Sequence, residues 1–413
     1  MTVYRTASSG MVKDINRALV FRILRERQRT SRADIVAATG LSKGTVSRLV
    51  HELIVAGLAH EAGSRSIAVG RPHTVLVFNS QAYYVLAAEL HPRSCSVGLF
   101  DLNAQPLEMT TVPLPSTKAA DVVDSLQRGF EQVGEGIAPK QILGCGVGVP
   151  GIVNLDGEIT LSVVMDWRNV PLRQLLADVV GCPALVIGRV RAAAWAERVY
   201  GTNRRVDSMV YIRVGASVGS ALILDGRLYM GADAAAGELG HVTIVPDGPL
   251  CPCGNRGCLS TLVSRKALVE RTRDRLRSDA IGSSSMLRWM DPASLTLEDV
   301  IAAATAADPI AVDVIREAGR YLGIAVANTI NFLNPRVVVV AGPLSAAGEQ
   351  LLKPLRDEVS RRALEVVARD VDIVTSNLDE HSTMIGVADL ILQPLSDPKW
   401  LLESGVRQPW SKR

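Results

Sequence analysis

Residues 237–260 read Gly237-Glu238-Leu239-Gly240-His241, then Val242 to Leu250, then Cys251-Pro252-Cys253-Gly254-Asn255-Arg256-Gly257-Cys258-Leu259-Ser260. Three of the six cysteines lie within eight positions here, with a histidine just upstream. Thiolates and an imidazole suit a tetrahedral zinc site, which four N/S ligands close when its role is structural. Glycines between the cysteines let the backbone turn tightly enough for the sulfurs to converge. The four ligands read from this spacing are His241, Cys251, Cys253 and Cys258. The pattern lacks the C-x2-C pairs of common zinc signatures, so a reduced cysteine cluster without metal stays open as the alternative.

Gly-Glu-Leu-Gly-His followed by Cys-x-Cys-Gly-Asn-x-Gly-Cys-Leu resembles the signature of the ROK family, which groups sugar-responsive repressors with sugar kinases. The resemblance runs from Asn16 to Leu392, nearly the whole chain. It implies that the His and Cys residues bind zinc and that Glu238 and His241 face a bound sugar. It also implies the fold class: α/β, an N-terminal winged helix-turn-helix followed by a two-lobed actin-like ATPase (ROK sugar-kinase-like) module. The expected domains are 1–80, the DNA-binding head; 81–200, a first lobe completed by a C-terminal helix at 384–395; and 201–383, a second lobe with the zinc site and a dimerisation surface.

At 413 residues the chain has room for two or three domains. Its 47% hydrophobic content supports sizeable cores, and its 4% aromatic content argues against single-strand binding by base stacking. No apolar run reaches the length of a membrane span, and the N-terminus has no apolar signal-peptide core. A cytoplasmic location away from membranes is the expectation. Cys95, Cys145 and Cys182 sit in apolar contexts and read as buried thiols of a reducing compartment. The net charge of +3 is unevenly spread: residues 1–80 hold twelve Lys/Arg against five Asp/Glu, so the remainder is acidic. Such asymmetry points to nucleic acid as the partner of the first segment.

Met1 to Val12 is polar and reads as an irregular tail. Ile15, Leu19, Ile23 and Leu24 then keep helical spacing. Ser31 fits an N-cap, with Asp34 three positions on. Ile35, Val36 and Thr39 face inward, Gly40 ends that helix, and Ser42 caps a third whose inner face is Val46, Leu49, Val50 and Leu53. Helix, short Gly-containing turn, helix is the helix-turn-helix pattern. The third helix turns Lys43, Gly44, Thr45, Ser47, Arg48 and His51 outward. Its first turns would enter a major groove, where Lys or Arg reads guanine and Thr meets a thymine methyl. A merely solvated face is the competing reading, but it does not require caps, turn and charge to agree. Leu58 to Glu61 and Thr74 to Phe78 read as the strands of a wing. Its Gly70-Arg71-Pro72 tip resembles the wing of ROK repressors, and Arg71 suits a narrow minor groove or a phosphate. The candidate DNA contacts are Ser31, Arg32, Ser42, Lys43, Gly44, Thr45, Ser47, Arg48 and Arg71.

Beyond residue 80 the chain departs from the kinases it resembles. Where ROK kinases carry a phosphate-cradling Asp-x-Gly-x-Thr turn, it has Glu89-Leu90-His91-Pro92-Arg93, and a proline has removed a backbone donor. Ile142 to Gly151 reads as a buried strand ending in a Pro-Gly turn and resembles the family's sugar-side loop, with Asn154 just beyond. The kinase motif Glu-Asn-Asp-Ala-Asn falls on Ile187-Gly188-Arg189-Val190-Arg191. The resemblance thus puts Arg189 where the catalytic Asp belongs and Gly188 where a sugar-binding Asn belongs. A guanidinium cannot accept a proton near neutral pH, so phosphoryl transfer by that route is excluded. Ser260 stands where the family has a sugar-binding Glu. Arg189 and Arg191 could instead hold an anionic ligand, or simply form salt bridges. The second phosphate loop, Gly215-Ala216-Ser217-Val218-Gly219, and Ala341-Gly342-Pro343 are altered too.

The resulting expectation is a transcriptional regulator, a repressor of carbohydrate-related genes whose inactive kinase-like module serves as effector sensor and dimeriser. It is not an enzyme. A ligand-independent regulator or architectural protein is the alternative, and an ATP-dependent sugar kinase a remote one. Expected partners are double-stranded DNA with a pseudo-palindromic operator, further copies in a homodimer or homotetramer, and a sugar or anionic sugar derivative near Asn154, Arg189, Arg191, Glu238 and His241. Structural zinc is expected; ATP is not.

Overall fold

The computed structural model describes residues 9–65, 73–202, 205–278, 285–378 and 381–396. They form two compact units: the described parts of Met1–Gly151, Asp156–Ile187 and Met384–Arg413, and those of Ile152–Leu155 with Gly188–Thr383.

The first unit opens with helices Ser9–Arg27, Arg32–Thr39 and Lys43–Val55. A three-stranded antiparallel sheet completes the head, with His73–Phe78 between Arg29–Ser31 and Ala59–Arg65. Phe21, Leu24, Ile35, Val46, Leu49, Leu53, Leu76 and Phe78 are buried. The Phe21 and Phe78 rings meet edge to face at 5.6 Å. Two features depart from expectation. The first helix starts at Ser9, inside the stretch read as a tail. Strand Arg29–Ser31 was not anticipated, because three residues carry too little periodicity; Gln28, at φ 60°, turns the chain into it.

In the same unit a five-stranded sheet runs Ala184–Gly188, Ile142–Val149, Tyr84–Leu90, Ser94–Phe100, Pro106–Pro113. Strand Tyr84–Leu90 is parallel to Ile142–Val149 and antiparallel to Ser94–Phe100. The glycines of strand Ile142–Val149 are a packing device. A Cβ on Gly146 would lie 2.7 Å from Val387 and 3.1 Å from Ile391, and one on Gly144 3.1 Å from Ile391. Bare backbone at these positions lets helix Ser382–Ser396 seat on the sheet. Cys95 and Cys145 are buried as expected, but Cys182 is only half-buried.

The second unit holds a five-stranded sheet ordered Arg227–Leu228, Val218–Leu224, Met209–Val214, Val337–Ala341, Asp372–Thr375. Met209–Val214 and Val218–Leu224 form a hairpin, and the last three strands are parallel. Helix Pro309–Leu333 packs into the core of this unit. Asp308 caps it, accepting from the N–H groups of Ile310 and Ala311, and Pro309 sits where a missing donor costs nothing. Gly319 and Gly323 let this helix approach Glu349–Arg362, since a Cβ on either would come within 2.7 Å of that partner.

The break between units falls after Ile187, not at the expected residue 200. Helix Arg189–Tyr200 goes with the second unit, where Val190 lies over Gly219 with no room for a Cβ on the glycine.

Within the head, Arg17 is 6% exposed and bridges two helices. Its Nε and Nη2 donate to Glu52 at 3.0 and 2.6 Å, and its Nη1 to Asp14 at 3.0 Å. Lys13 also pairs with Glu52, at 2.8 Å. Burial pushes the Glu52 carboxyl up, but hydrogen bonds and charge from Lys13 and Arg17 outweigh it and hold the pKa below its ordinary value of 4.5. A depressed carboxylate stabilises the folded state above its unfolded pKa, and that contribution is lost as pH falls through the folded value. Glu52→Ala is therefore expected to cost about 1–3 kcal/mol at neutral pH, by leaving Arg17 donors buried and unpaired. Thermal melts from pH 7 down to pH 3 should show the variant losing less stability than wild type over the acid range; parallel curves would refute the assignment.

Candidate functional site

Three groups of residues carry the chemistry singled out above. The first is the exposed face of the head. Ser31 and Asp34 form a reciprocal capping box, with the Asp34 N–H donating to Ser31 Oγ at 3.2 Å and the Ser31 N–H to Asp34 Oδ2 at 3.1 Å. Gly40, at φ 69°, ends the helix in the left-handed region. Ser42 Oγ then accepts from the Thr45 N–H at 3.1 Å and bonds the Thr45 hydroxyl at 2.9 Å. These caps aim helix Lys43–Val55 outward while Val46, Leu49, Val50 and Leu53 anchor it. Lys43, Gly44, Ser47, Arg48 and His51 are exposed.

Three of the anticipated contacts stand differently. Ser31 is 8% exposed, and its hydroxyl is engaged by the capping box. Arg32 pairs with Glu61 at 2.8 Å. Arg71 and the rest of the wing tip lie outside the described residues. The basic excess of the head is partly structural as well, since Lys13, Arg17 and Arg32 all have acidic partners.

The second group is the cysteine stretch. One ligand atom from each of His241, Cys251, Cys253 and Cys258 lies within 4.8 Å of the others. His241 Nδ1 is 3.7 Å from Cys251 Sγ, and Cys253 Sγ is 3.7 Å from Cys258 Sγ. Backbone geometry brings them there. Isolated bridges join Thr243 to Cys258 and Leu250 to Arg256, and Gly254, at φ 94°, turns the chain between cysteines. Gly257 is irreplaceable on steric grounds: a Cβ there would fall 1.5 Å from the Val245 carbonyl oxygen. Cys251 and Cys258 are buried, whereas His241 and Cys253 are exposed. The Asn255 backbone, helped by the neighbouring thiols and His241, pulls the Cys253 thiol down to about 7, while burial pushes Cys258 up to about 12. Three sulfurs and an imidazole at these separations can hold a divalent metal ion. Asn255 was not anticipated. Its side-chain amide donates to Cys258 Sγ at 3.3 Å and Thr243 Oγ1 at 2.8 Å, the kind of outer contact that orients a ligand. Its place in Gly254-Asn255-Arg256-Gly257 was the available signal.

The third group comprises the effector candidates, all in the second unit. Arg189 and Asn154 are half-buried, and Glu238 and His241 exposed. Arg191 differs from the open ligand-binding side chain considered above. It is 6% exposed, and its Nη2 donates to the carbonyls of Ala234 at 2.6 Å and Ala236 at 3.2 Å. Its Nη1 lies 3.5 Å from the Val153 carbonyl. Burial lowers the Arg191 pKa and the Glu238 carboxylate opposes that shift. Arg191 thus ties the segment carrying Asn154 to the one leading into Glu238. Ser260 Oγ accepts the Val218 N–H at 3.2 Å.

Donors that a phosphate would need are already engaged. The His91 N–H donates to the Ser94 carbonyl at 2.9 Å, and the Gly215 N–H to the Ser217 carbonyl at 3.0 Å.

Comparison with known proteins gives a consistent result. Residues 17–63 match the IclR helix-turn-helix domain. The chain is 26% identical over 398 residues to the xylose repressor of Bacillus subtilis, covering 95% of this chain and 98% of that protein. It is 28% identical over 384 residues to the DNA-binding transcriptional dual regulator NagC of Escherichia coli, covering 92% and 93%. A solved ROK family transcriptional regulator, a homologue of the Escherichia coli MLC protein, superposes with a TM-score of 0.82 at 30% identity, covering 95% of this chain and 99% of that one. Residues 92–394 match the ROK family, and with a helix-turn-helix head followed by a ROK kinase-fold module the chain belongs to that family.

Proposed function

We propose that this protein is a sugar-responsive transcriptional repressor that binds double-stranded DNA through the face Lys43, Gly44, Ser47, Arg48 and His51. The observation that carries this reading is the recognition helix: two caps and a buried inner face hold it, and its cations point to solvent. The xylose repressor and the dual regulator NagC, each matching more than nine tenths of the chain, support it. The module is not an enzyme in this reading, because Arg189 takes the place of a general base and cannot accept a proton. Arg71, in the wing, belongs to the same DNA-contacting set. Ser42 and Thr45 support the helix start, while Ser31 and Arg32 serve the head's own structure.

The cysteine stretch binds a structural zinc ion in this reading. A tetrahedral site with Zn–S bonds of about 2.3 Å has sulfurs roughly 3.8 Å apart, and the 3.7 Å between Cys253 and Cys258 fits that edge. The protein works as a homodimer or homotetramer through its second lobe, on a pseudo-palindromic operator. Phe332, Leu364 and Val366, exposed around the end of helix Pro309–Leu333, favour an apolar contact there. No helix among the described residues is long and apolar enough to cross a membrane; a cytoplasmic location is part of the proposal. The effector, a sugar or anionic sugar derivative, is assigned to Arg189, Glu238, His241 and Asn154, with Arg191 as scaffold. A ligand-independent regulator is the second reading, favoured by Arg191 being committed to carbonyls and by Ser260 standing where the family has a sugar-binding Glu. Calorimetry separates the two: heat with neutral or phosphorylated sugars supports an effector, and silence with all of them supports the second reading.

Purified protein should pull a few palindromic sites from sheared genomic DNA at near-physiological salt, where non-specific binding fades. Broad, salt-erased coverage would overturn the proposal. On such a site Arg48→Ala is expected to weaken binding by about 1–3 kcal/mol, read by titration of labelled duplex, with loss of preference at one base position. Chelation should release one zinc per chain and unfold the second lobe, since structural zinc contributes on the order of 10 kcal/mol of apparent binding energy; elemental analysis with circular dichroism measures both. Arg191→Ala should destabilise the second lobe by about 1–3 kcal/mol, through the carbonyls it leaves unpaired, and unchanged melting would count against the scaffold role.

A further inference from the structure

We infer that Arg25, Asp389 and Gln393 form a latch that sets the orientation of the DNA-binding head on the first lobe, making them positioning residues for operator recognition. The inference rests on the DNA-binding reading above and adds the means by which the head is aimed.

Arg25 lies in the last turn of helix Ser9–Arg27, and Asp389 lies in helix Ser382–Ser396. Although 364 positions apart in sequence, Arg25 Nη2 and Asp389 Oδ1 meet at 2.7 Å. The Asp389 side chain is 1% exposed and that of Arg25 13%. One turn after Asp389, Gln393 Nε2 donates to its second carboxylate oxygen at 2.8 Å. Both oxygens of a buried carboxylate are therefore taken. Removing either charge costs the other its 2.7 Å ion pair while leaving it buried, so arrangements of head and lobe that separate the two are disfavoured. Fixing one arrangement among several is the best attested use of such a buried pair.

Uncharged hydrogen bonds also run along this seam. Gln28 reaches Asn103 at 3.1 Å through an exposed hydrogen bond. The Asn79 side chain holds the Gly57 carbonyl at 2.9 Å, and the Leu102 N–H donates to the Ser80 carbonyl at 2.9 Å. Alongside lies a cleft of about 850 Å³ that separates Ala56 and Gly57, at the end of the recognition helix, from Lys140 to Leu143 at the start of strand Ile142–Val149. Ile391 and Leu395, on the latch helix, line it too. Beside this open cleft the latch is a buried charged contact that ties helix Ser9–Arg27 to helix Ser382–Ser396.

Paired heads on a two-fold site must present their recognition helices at one separation. A latched head accepts one half-site spacing; a loosened head tolerates several. Recognition helix and cap residues are untouched by the latch, so binding to a single half-site and to non-specific DNA should not depend on it.

The test uses full-length protein and the operator recovered from the genomic pull-down, with variants lengthened or shortened by one or two base pairs between half-sites. Wild type should bind the native spacing best. Arg25→Ala and Asp389→Asn are expected to erase about tenfold of that discrimination while keeping non-specific affinity at low salt. Arg25→Lys should retain most of it. Gln393→Ala, which leaves the charge pair intact and protects the test against misfolded variants, should lose a smaller part. Chymotryptic cleavage at Tyr83, in the connection between head and lobe, should accelerate in the same order. Discrimination unchanged in the folded variants, or affinity lost equally at all spacings, overturns the latch while leaving the regulator reading intact. A wild type with no preferred site at all sinks both.

Discussion

A guanidinium keeps its proton, so a buried arginine obliges the fold to bring acceptors to it. Arg191 is the case on which the second lobe turns. Its two terminal nitrogens donate to carbonyl oxygens of Val153, Ala234 and Ala236, and the Glu238 carboxylate adds favourable charge. Those carbonyls belong to two segments far apart in sequence. One carries Asn154, and the other runs into Gly237-Glu238 and on to the cysteine stretch. Arg191 therefore holds the segment carrying Asn154 against the one leading into Glu238 and the cysteine stretch.

Small residues set the other close approaches. Gly144 and Gly146 in strand Ile142–Val149 admit the C-terminal helix, Gly319 and Gly323 admit a helix onto a helix, and Gly257 admits the Val245 carbonyl into the cysteine loop. The same principle decides where the lobes divide. Gly219 lets helix Arg189–Tyr200 pack on the strands of the second unit through Val190, and the division follows that contact. A glycine-rich strand that resembles a sugar-side loop is thus also the seat of the helix that carries Asp389.

The head shows how charge is divided between folding and recognition. Its excess of cations suggested nucleic acid, and the exposed Lys43 and Arg48 remain available for that. Lys13, Arg17, Arg25 and Arg32 do different work, each closing an ion pair with Glu52, Asp389 or Glu61. The departures from the kinase pattern agree with this division of labour. Arg189 in place of a general base, a proline in the first phosphate turn and backbone donors bonded within their own loops leave a module suited to binding and transmission, not to phosphoryl transfer.

Much of this was legible in the linear chain, wherever the determining contacts are local. Ser31 with Asp34, Gly40 and Ser42 with Thr45 act within one helical turn, so the helix-turn-helix and its outward face could be read directly. The cysteine cluster was legible for the same reason: its four residues span eighteen positions and converge through short glycine turns. The resemblance of that stretch to one family then supplied the two-lobed module, which periodicity alone would not have. What local pattern could not convey were partners brought together across the fold. The three-residue strand after the first helix and the boundary at Ile187 each depend on packing against distant segments. Arg191 reads in sequence as an exposed cation beside a helix start, and only burial against carbonyls more than thirty residues away makes it a scaffold. Arg25 and Asp389 are two ordinary charged residues near opposite ends of the chain. Their meaning arises from desolvation, a property of the enclosing structure that no spacing encodes.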